Sequence, residues 1–367
     1  MDGIYKQIIQ KHGLIGGSVI GKGGYGIVYS VKTETSEFAI KFIPIRNEQK
    51  SPKFQSTIHS IEQEFSWAKN IRSNYCIKTF NIYKDVIKNY IIYSMVMEKS
   101  KFNDLKYFIF YFYHGNMLKL NNNVSYFPKL KYLNLLTIKF FTYQILQSLL
   151  FFKEHYLIHC DIKAENFLLG SRFILKLCDF SLMKLIKQKN DLFLTSSTWN
   201  IKGIEYYNEE KKVNYKDVYK VDIFCAGLVI YLLMYNKHII SEDCKLLLQN
   251  KEKDYESKIK LIKKKIEIAR NEIINDDMIK DNDFKQLILS MIEPNIADRD
   301  NIENLLMNKS MNNDKELLNK IFYINECEEI KLFVEFQKSK INIEKRKRSK
   351  NKYRKVKFNI ISINKEE

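Results

Sequence analysis

Residues 158–169 read IHCDIKAENFLL, and no other stretch of the chain says as much about its architecture. The stretch follows a long apolar segment, residues 133–154, whose composition predicts a buried helix. Asp161, Lys163 and Asn166 are spaced so that one loop offers a proton acceptor, a cation and an oxygen ligand for a divalent metal. This combination is typical of a site that acts on a phosphate group.

A glycine-rich stretch lies near the start of the chain, where residues 21–28 read GKGGYGIV between alternating apolar and polar residues. Glycines let backbone amides approach phosphate oxygens closely, so the pattern predicts a phosphate-binding turn between two strands. Taken alone it is a weak signal, since glycines of ordinary turns produce it about as readily. No helix is predicted directly after it, which argues against a dinucleotide-binding fold.

A lysine and a glutamate extend this pattern. Lys41 closes the next apolar run, residues 39–41, at a distance suited to a lysine that reaches the α- and β-phosphates. Residues 55–72 have helical periodicity and offer Glu62 and Glu64 on different faces. We expect Glu64 to hold Lys41, because its distance from the following strand fits better, and Glu62 to face solvent.

A second acid follows the stretch at 158–169. Asp179 lies thirteen residues beyond Asn166, in LCDFS at residues 177–181, where it is placed to chelate Mg²⁺ bridging phosphates. His159 is interpreted as a packing residue and not as a base. Any one of these acids could simply cap a turn. That interpretation is disfavoured for the whole set, because the glycine loop, the lysine, the helix acid and the two loop acids follow one another along the chain in this order.

Together these motifs resemble the eukaryotic protein kinase family over roughly residues 14–310. The resemblance implies an α+β, two-lobed, protein-kinase-like fold with ATP bound between a small β-rich N-lobe and a larger α-helical C-lobe. The N-lobe with its glycine-rich loop would occupy residues 1–100, and the C-lobe with the catalytic loop and activation segment residues 101–310. Beyond them we expect a helical extension at 311–342 and a basic, disordered tail at 343–367.

The resemblance also assigns roles to single residues. It implies ATP and Mg²⁺ as cofactors, with Mn²⁺ as the alternative ion. Asp161, Lys163 and Lys41 would be catalytic, and Asn166 and Asp179 would be the metal ligands. The residues that would bind the nucleotide are Gly21, Gly23, Gly26, Val28, Ala39, Lys41, Glu64, Glu98, Ser100 and Leu168.

Further positions resemble landmarks of the same family. Met97 stands where the family places a gatekeeper before the hinge, and Asp104 where it often places a ribose-binding acid. Asp222 resembles the aspartate that steadies the backbone of the catalytic loop. Arg299 resembles the partner of Glu210 at the end of the activation segment, and the role of that pair would be structural.

Other positions depart from the family pattern. Cys160 replaces the arginine that normally receives an activation-loop phosphate, so switching through that arginine should be absent. Ser181 replaces the glycine of the metal motif, Gly203 a threonine that braces the catalytic loop, and Glu209 a proline. Residues 195–198 (TSST) are interpreted as a solvated loop, with phosphorylation as the alternative.

Charge and composition bear on partners and location. The net charge is +18, and residues 345–357 carry nine Lys or Arg and no acid. Such a tail predicts binding to an import receptor, nucleic acid or an acidic surface, with a merely solvated end as the alternative. The six scattered cysteines lack a CxxC pair and indicate reduced thiols, so we expect an intracellular protein, nuclear if the tail directs it there and otherwise cytoplasmic.

The apolar segments give no reason to expect a membrane span. Residues 133–152 are interrupted by polar side chains, and residues 221–235 are too short. The first residues lack the charged-then-apolar arrangement of a signal peptide.

The resemblance predicts an ATP-dependent protein serine/threonine kinase that transfers the γ-phosphoryl of Mg-ATP to hydroxyls of protein substrates. Lys163, two residues after the base, favours the serine/threonine class over the tyrosine class. The first alternative is a pseudokinase or kinase-like scaffold that binds nucleotide or partner proteins without efficient transfer, but the lysine, base and metal positions show no decay. The second, a nucleic-acid-binding protein acting through its tail, is weakened because Tyr353 is the only interleaved aromatic residue.

Overall fold

The fold was analysed in a computed structural model of the chain. The residues that the structure describes are 1–23, 26–48, 51–114, 116–120, 123–127, 133–186, 192–193, 204–207, 212–241, 244, 248, 254–313, 330–331, 333–335 and 337.

The first hundred residues form an antiparallel sheet with a long helix beside it, as predicted for the small lobe. The strands are Val19–Gly23 (β1), Gly26–Lys32 (β2), Glu37–Arg46 (β3), Thr79–Ile87 (β4) and Tyr90–Glu98 (β5). Their order in the sheet is β1-β2-β3-β5-β4. Helix Pro52–Asn70 (α2) connects β3 to β4 and begins with a proline, which suits the first turn of a helix.

Alternating side chains give this sheet two apolar faces, because successive residues of a strand point to opposite sides. In β3, Ala39 and Ile43 belong to the core shared with the large lobe, whereas Ile40 and Phe42 belong to a separate cluster on the outer face. Lys41 lies between Ile40 and Phe42 in sequence, so its side chain is on the inner face with those of Ala39 and Ile43.

A helix that the sequence analysis did not predict, Asp2–Lys11 (α1), covers the outer face. Its buried residues Tyr5, Ile8 and Ile9 pack into the outer cluster. The ring of Tyr5 stacks on Phe42 with 4.7 Å between centroids. The outer face of the sheet is therefore a second small core.

The C-terminal end of α1 is tied to strand β4 by charge. Lys11 Nζ and His12 Nε2 lie 2.6 and 3.0 Å from the two carboxylate oxygens of Asp85, whose side chain is almost fully buried. The His12 ring also stacks on Tyr83, with 3.6 Å between centroids. Burial favours the neutral form of Asp85, but hydrogen bonds from Lys11 and His12 more than offset it and hold the pKa of this carboxyl below its ordinary value.

The large lobe is mostly helical, as predicted. Its helices are Leu105–His114 (α3), Leu135–Glu154 (α4), Tyr219–Tyr235 (α5), Tyr255–Ile274 (α6), Asn282–Met291 (α7), Ile302–Met307 (α8) and Lys309–Asn313 (α9). Its short strands are Asn116–Leu120 (β6), Asn123–Phe127 (β7), Leu157–Ile158 (β8), Phe167–Leu169 (β9), Leu175–Leu177 (β10), Lys184–Leu185 (β11), Leu192–Phe193 (β12) and Lys212–Val213 (β13). They form the pairs β6–β7, β9–β10, β8–β11 and β12–β13.

The core of this lobe lies around α4 and α5. Every residue of α5 from Val221 to Met234 is buried, which agrees with its apolar composition on all sides. Gly227 lies so close to α7 that a Cβ atom there would be 2.6 Å from Ile292 Cγ2. By length and composition alone, helix α4 could cross a membrane. However, 67% of its most apolar 18-residue stretch is buried inside the fold, as in the core helix of a globular domain.

Two segments rich in asparagine or lysine contribute regular structure to the large lobe. Residues 116–126 contribute the hairpin β6–β7, and the lysine-rich segment 250–268 supplies the first half of α6. Helical residues between 330 and 337 also occur within the expected helical extension, and Phe333 is fully buried there. Its ring contacts Phe108 and Tyr111 of α3 at 5.2 and 5.3 Å between centroids. The tail beyond residue 342 lies outside the described residues.

Candidate active site

The glycine motif lies at the end of the hairpin where β1 connects to β2, with Gly21 paired to Val28 and Gly23 to Gly26. A Cβ atom on Gly26 would be 2.2 Å from the carbonyl oxygen of Phe42, so only glycine lets β2 approach β3 this closely. Among the described residues, a Cβ on Gly23 would meet no atom within 4 Å. Residues 24 and 25 lie outside the described part.

Lys41 on β3 lies beneath this hairpin, paired with Val28 on β2 and Met95 on β5. Its Nζ is 2.7 Å from Glu64 Oε1 of α2 and 3.5 Å from Asp179 Oδ1. Burial would lower the pKa of Lys41, but the two facing carboxylates outweigh it and hold the pKa above its ordinary value. Lys41 is therefore a fixed, permanently charged cation within the cleft.

Glu64 is the helix acid that reaches Lys41, as expected, and it is buried. Glu62 has other partners: its Oε1 accepts hydrogen bonds from the Tyr93 hydroxyl at 2.6 Å and from Lys84 Nζ at 3.0 Å. Glu62 is exposed, as expected, and these two contacts with β4 and β5 add to that expectation.

Asp179 follows β10 and takes a left-handed conformation, with φ +66°. Burial would raise the pKa of its carboxyl, but Lys41 and a hydrogen bond with Ser181 more than offset this and hold the pKa below its ordinary value. Asp179 Oδ1 is buried and has no hydrogen-bond partner within the described residues. An ionised carboxylate with an unsatisfied buried oxygen is a ready ligand for a cation.

The catalytic-loop candidates meet in one cluster after β8. Asp161 Oδ2 lies 2.6 Å from Lys163 Nζ and 3.2 Å from Asn166 Nδ2. Asn166 Nδ2 also donates to the main-chain oxygen of Asp161 at 2.8 Å. Because the amide nitrogen is engaged with Asp161, Asn166 Oδ1 is the atom it has to offer a ligand.

Buried hydrogen bonds hold this loop to α5. The carboxylate of Asp222 accepts hydrogen bonds from His159 N at 2.7 Å and from Cys160 N at 3.1 Å, which is the bracing role that the resemblance implied. Burial raises the pKa of Asp222 to about 7, although these two hydrogen bonds oppose the shift. Cys160, in the left-handed conformation at φ +64°, has its thiol buried.

His159 packs as predicted. Its Nε2 lies 3.2 Å from the Cys178 carbonyl oxygen, and its Nδ1 accepts from Asp161 N at 3.3 Å. Its ring meets Phe180 edge-on, with 5.9 Å between centroids. Complete burial lowers the pKa of His159, which keeps the imidazole neutral. The ring thus links the catalytic loop to the Asp179 loop.

The segment after β5 lies along the other wall of the cleft. Ala39 pairs with Met97 across β3 and β5, and both are buried. The Glu98 carboxylate is turned to Lys176 Nζ at 3.4 Å, so a contact of Glu98 with a nucleotide has to use its main chain. Ser100 Oγ donates to Leu169 O at 2.8 Å and so joins this segment to β9.

Asp104 and Leu168 meet beyond the hinge, where they form an isolated antiparallel bridge. Asp104 Oδ1 accepts from Tyr107 N at 2.7 Å and so caps the start of α3. Burial raises the pKa of Asp104 although this hydrogen bond opposes the shift. Val28 and Leu168 are both half-buried, as the walls of an apolar nucleotide site would be.

The donor set fits a small divalent ion. Among the described residues no group of three or more His, Cys, Asp or Glu is arranged to hold a metal, so no all-protein cage is present there. Mg²⁺ is usually held by one or two protein oxygens together with substrate phosphates and waters. Asp179 Oδ1 and Asn166 Oδ1 are the oxygens that would hold it, and Lys41 Nζ lies 3.5 Å from the first of them.

A buried arginine ties the end of the activation segment to the large lobe. Arg299 Nη2 lies 2.9 Å from Glu205 Oε1, and its other donors reach the carbonyl oxygens of Lys220 and Glu293. The expected partner Glu210 lies outside the described residues, and the carboxylate that the structure places on Arg299 is Glu205. The departures at residues 195–198, 203 and 209 also lie outside the described part.

The structure brings together contacts that the sequence analysis did not identify. The Tyr206 hydroxyl donates to the main-chain oxygen of Cys160 at 3.3 Å, directly beside the catalytic loop. Glu165, inside the loop, pairs with Lys106 of α3 at 2.7 Å. The first pair joins residues 46 positions apart and the second joins residues 59 positions apart, so no local sequence pattern could have indicated either contact.

The arrangement of sheet, helical lobe and site defines a protein-kinase-like fold. Between the two lobes lie the glycine hairpin, the Lys41–Glu64 pair and the loops that carry Asp161 and Asp179. Comparison with known sequences agrees: the family model for the protein kinase domain matches residues 15–311. The chain belongs to the protein kinase family.

Curated relatives are similar at modest identity. The chain is 29% identical over 184 residues to mitogen-activated protein kinase kinase kinase A of Dictyostelium discoideum. The matched region is 49% of this chain and 17% of the relative. It is 27% identical over 248 residues to the serine/threonine-protein kinase atg1 of Schizosaccharomyces pombe, covering 60% and 28% respectively. It is 25% identical over 202 residues to mitogen-activated protein kinase kinase kinase 3 of Arabidopsis thaliana, covering 55% and 30%. The matches thus span less than a third of each relative.

Proposed function

We propose that this protein is an active serine/threonine kinase that transfers the γ-phosphoryl group of Mg-ATP to hydroxyls of protein substrates. The observation that carries the proposal is the convergence of Lys41, Asp161, Asn166 and Asp179 on one cleft. A scaffold that only binds nucleotide has no need of a base, and the unsatisfied Asp179 oxygen beside Lys41 favours an active site. The similarity to a relative named as a serine/threonine-protein kinase supports the choice of acceptor.

Lys41 would bind and orient the α- and β-phosphates. Its Nζ is held between Glu64 and Asp179 at 2.7 and 3.5 Å, so the cation is already in place when the nucleotide arrives. A charge fixed before binding costs little reorganisation when negative charge shifts during transfer. Asp179 and Asn166 would hold Mg²⁺, which would supply positive charge to offset part of that of the phosphates.

Asp161 would accept the proton from the attacking hydroxyl through the carboxylate that faces Lys163. Lys163 Nζ is 2.6 Å from Asp161 Oδ2 and is positioned to neutralise the transferring group as well. Asn166 and the backbone bonds to Asp222 hold the carboxylate in one orientation. Transfer would be direct and in line, without a covalent enzyme intermediate, and catalysis would come mainly from positioning and charge neutralisation.

The test is incorporation of labelled γ-phosphoryl into a library of serine, threonine and tyrosine peptides by the wild-type protein and by Asp161→Asn. We expect phosphoserine and phosphothreonine from the wild type and a loss of roughly 10²- to 10⁴-fold in the variant, the range for removing a general base. The matched control is Asp283→Asn, which makes the same change at an exposed position of α7. Equal labelling by wild type and Asp161→Asn would mean a contaminating kinase and would remove the basis of the proposal.

For the basic tail at residues 345–357 we propose a role in location or partner docking and none in the transfer chemistry. An import receptor, nucleic acid or an acidic surface is the partner class that nine cationic residues support. An intracellular protein, with the tail favouring the nucleus, is the corresponding proposal for location.

A further inference from the structure

Helix α6 has a lysine-rich face that the proposed chemistry does not use. Residues 255–268 contain five lysines and two glutamates. The buried stripe of the helix consists of Ile262, Ile266, Ala269 and Ile273. Lys260, Lys263 and Lys264 lie on the opposite face, where all three are exposed.

Two charged groups near the C-terminal end of α6 have partners inside the fold. Glu272 accepts from the Tyr231 hydroxyl and pairs with Lys237 Nζ at 2.5 Å. Arg270 pairs with Glu293 at 3.2 Å and donates to a carbonyl oxygen of α7. The helix thus uses its C-terminal charges to attach to its neighbours.

The three outer lysines are different. Within the part of the chain that the structure describes, Lys260, Lys263 and Lys264 make no ion pair and no side-chain hydrogen bond. The exposed acids of the same helix, Glu256 and Glu267, are likewise not bonded to them there. Glu256 and Glu267 lie within one turn of these lysines and offset part of their charge, but with five lysines against two glutamates over residues 255–268 the face keeps a net positive charge.

The position of α6 relates this face to the site of transfer. The helix contacts Ile204–Tyr207. Within that segment, the Tyr206 hydroxyl bonds to the main chain of Cys160, the residue before Asp161. A protein bound on α6 is thus one short segment away from the catalytic loop.

We propose that Lys260, Lys263 and Lys264, together with Ile268, form a docking surface for an acidic segment of the protein substrate. This inference rests on the proposed kinase function and specifies its substrate class. Ile268, one turn after Lys264, is 56% exposed and offers an apolar contact beside the charges. The surface binds the substrate outside the cleft while the acceptor hydroxyl enters it.

An acidic peptide fits this surface better than a membrane or a nucleic acid does. A membrane-binding helix shows a broad exposed apolar face, whereas the main apolar stripe of α6 is buried in the fold. Single-stranded nucleic acid is bound by basic grooves with aromatic residues for stacking, and Tyr255 at the start is the only aromatic residue of α6. Three lysines on two adjacent turns suit a short run of acidic side chains.

The expected effect is moderate. Exposed ion pairs each contribute little, but three of ordinary strength together change affinity by about tenfold. Because the charges are exposed, the effect should shrink as salt screens them. It should appear in KM and leave kcat unchanged, since the lysines do not touch the reacting atoms.

The experiment compares two peptide series with the same acceptor sequence, one with a run of six glutamates and one with six glutamines, at several linker lengths. The full-length wild type is compared with Lys260→Glu/Lys263→Glu/Lys264→Glu. The matched control is Lys53→Glu/Lys69→Glu/Lys88→Glu, which changes three exposed lysines of the small lobe and the same net charge. All three proteins keep the basic tail, so its attraction for acidic peptides cancels.

We expect the wild type and the control to show a KM about tenfold lower for the glutamate peptide. The α6 variant should show a clearly smaller preference, due to the tail alone, at unchanged kcat and unchanged melting temperature. No preference in the wild type, or a preference as large in the α6 variant as in the control, would overturn the docking surface while leaving the kinase proposal intact.

A binding measurement separates the two proposals further. The fluorescence anisotropy of a labelled glutamate peptide without a hydroxyl acceptor reports docking independently of phosphorylation. If the peptide binds through α6 but no peptide is phosphorylated, the proposed function fails and the docking surface stands. Unchanged peptide affinity in the α6 variant, combined with lost binding to phosphatidylserine vesicles or to an oligonucleotide, would overturn the proposal in favour of those ligands.

Discussion

Lys41 is held between the buried carboxylate of Glu64 and the half-buried carboxylate of Asp179, so replacing it should affect activity and stability separately. Lys41→Met should lower the rate of phosphoryl transfer by about 10²- to 10³-fold, because the phosphates lose a positioned cation. Glu64 would remain buried without its partner, and the free energy of unfolding should fall by about 3–5 kcal/mol. Single-turnover kinetics and urea unfolding measure the two effects.

The control for this prediction removes both charges. Lys41→Met/Glu64→Gln should recover part of the lost stability, since no unpaired carboxylate stays buried, and none of the activity. Equal stability of the single and double variants would argue against a buried ion pair at this position.

Arg299 is a residue whose importance should be structural. It is 1% exposed, binds Glu205 and two carbonyl groups, and lies over the Phe224 ring at 4.7 Å. Arg299→Met should lower the free energy of unfolding by about 3–5 kcal/mol, because Glu205 and the carbonyl groups lose their donor. Arg46→Met, at an exposed pair with Glu48, should change it by less than about 1 kcal/mol. Similar losses of stability in both variants, by urea unfolding, would contradict this assignment.

At this scale the sequence was informative about which residues matter and less so about their contacts. Glu64 could be preferred over Glu62 from spacing, because the helix faces and the next strand limit the choice. The Glu205 contact of Arg299 could not be predicted, since it joins residues 94 positions apart and depends on how the chain turns between them. The turn of the Glu98 side chain towards Lys176 likewise depends on tertiary packing.

Among the elements, α1 has a role that activity assays alone would miss. Its residues Ile8 and Ile9 fill the outer face of the sheet whose inner face carries Lys41. Ile9→Ala should lower the free energy of unfolding by about 2–5 kcal/mol, as for other buried isoleucines. Gln10→Ala, an exposed neighbour, should have an effect below about 0.5 kcal/mol. An equally small effect of Ile9→Ala in urea unfolding would show that α1 is not packed on the sheet.

The long elements followed their sequence patterns and α1 did not. Helices predicted at 55–72 and 133–154 appear as Pro52–Asn70 and Leu135–Glu154, because long apolar periodicity leaves little choice. Helix α1 has three buried residues in ten, too few for a clear period, and is stabilised by the sheet beneath it. Its contact with Asp85, 73 residues away, lies beyond any local pattern.

For the whole molecule, the lobes and the tail should be separable in function. Truncation after Ile343 removes the basic stretch at 345–357 and none of the described residues. We expect unchanged kcat and KM for a neutral peptide, because the residues of the candidate site all lie before it. A change in cellular location or in recovered partners would support the proposed role of the tail. A large loss of kcat would instead place the tail in the catalytic machinery.

The claim on which the account depends is that the two lobes close around a triphosphate and a metal held by Asp179. Calorimetry of ATP binding with and without Mg²⁺ tests it most directly, on the wild type, Asp179→Asn and the exposed control Asp283→Asn. We predict that Mg²⁺ strengthens ATP binding by about tenfold or more in the wild type and the control, since its charge offsets that of the phosphates, and has little effect in Asp179→Asn. The same dependence on Mg²⁺ in all three proteins would contradict the account.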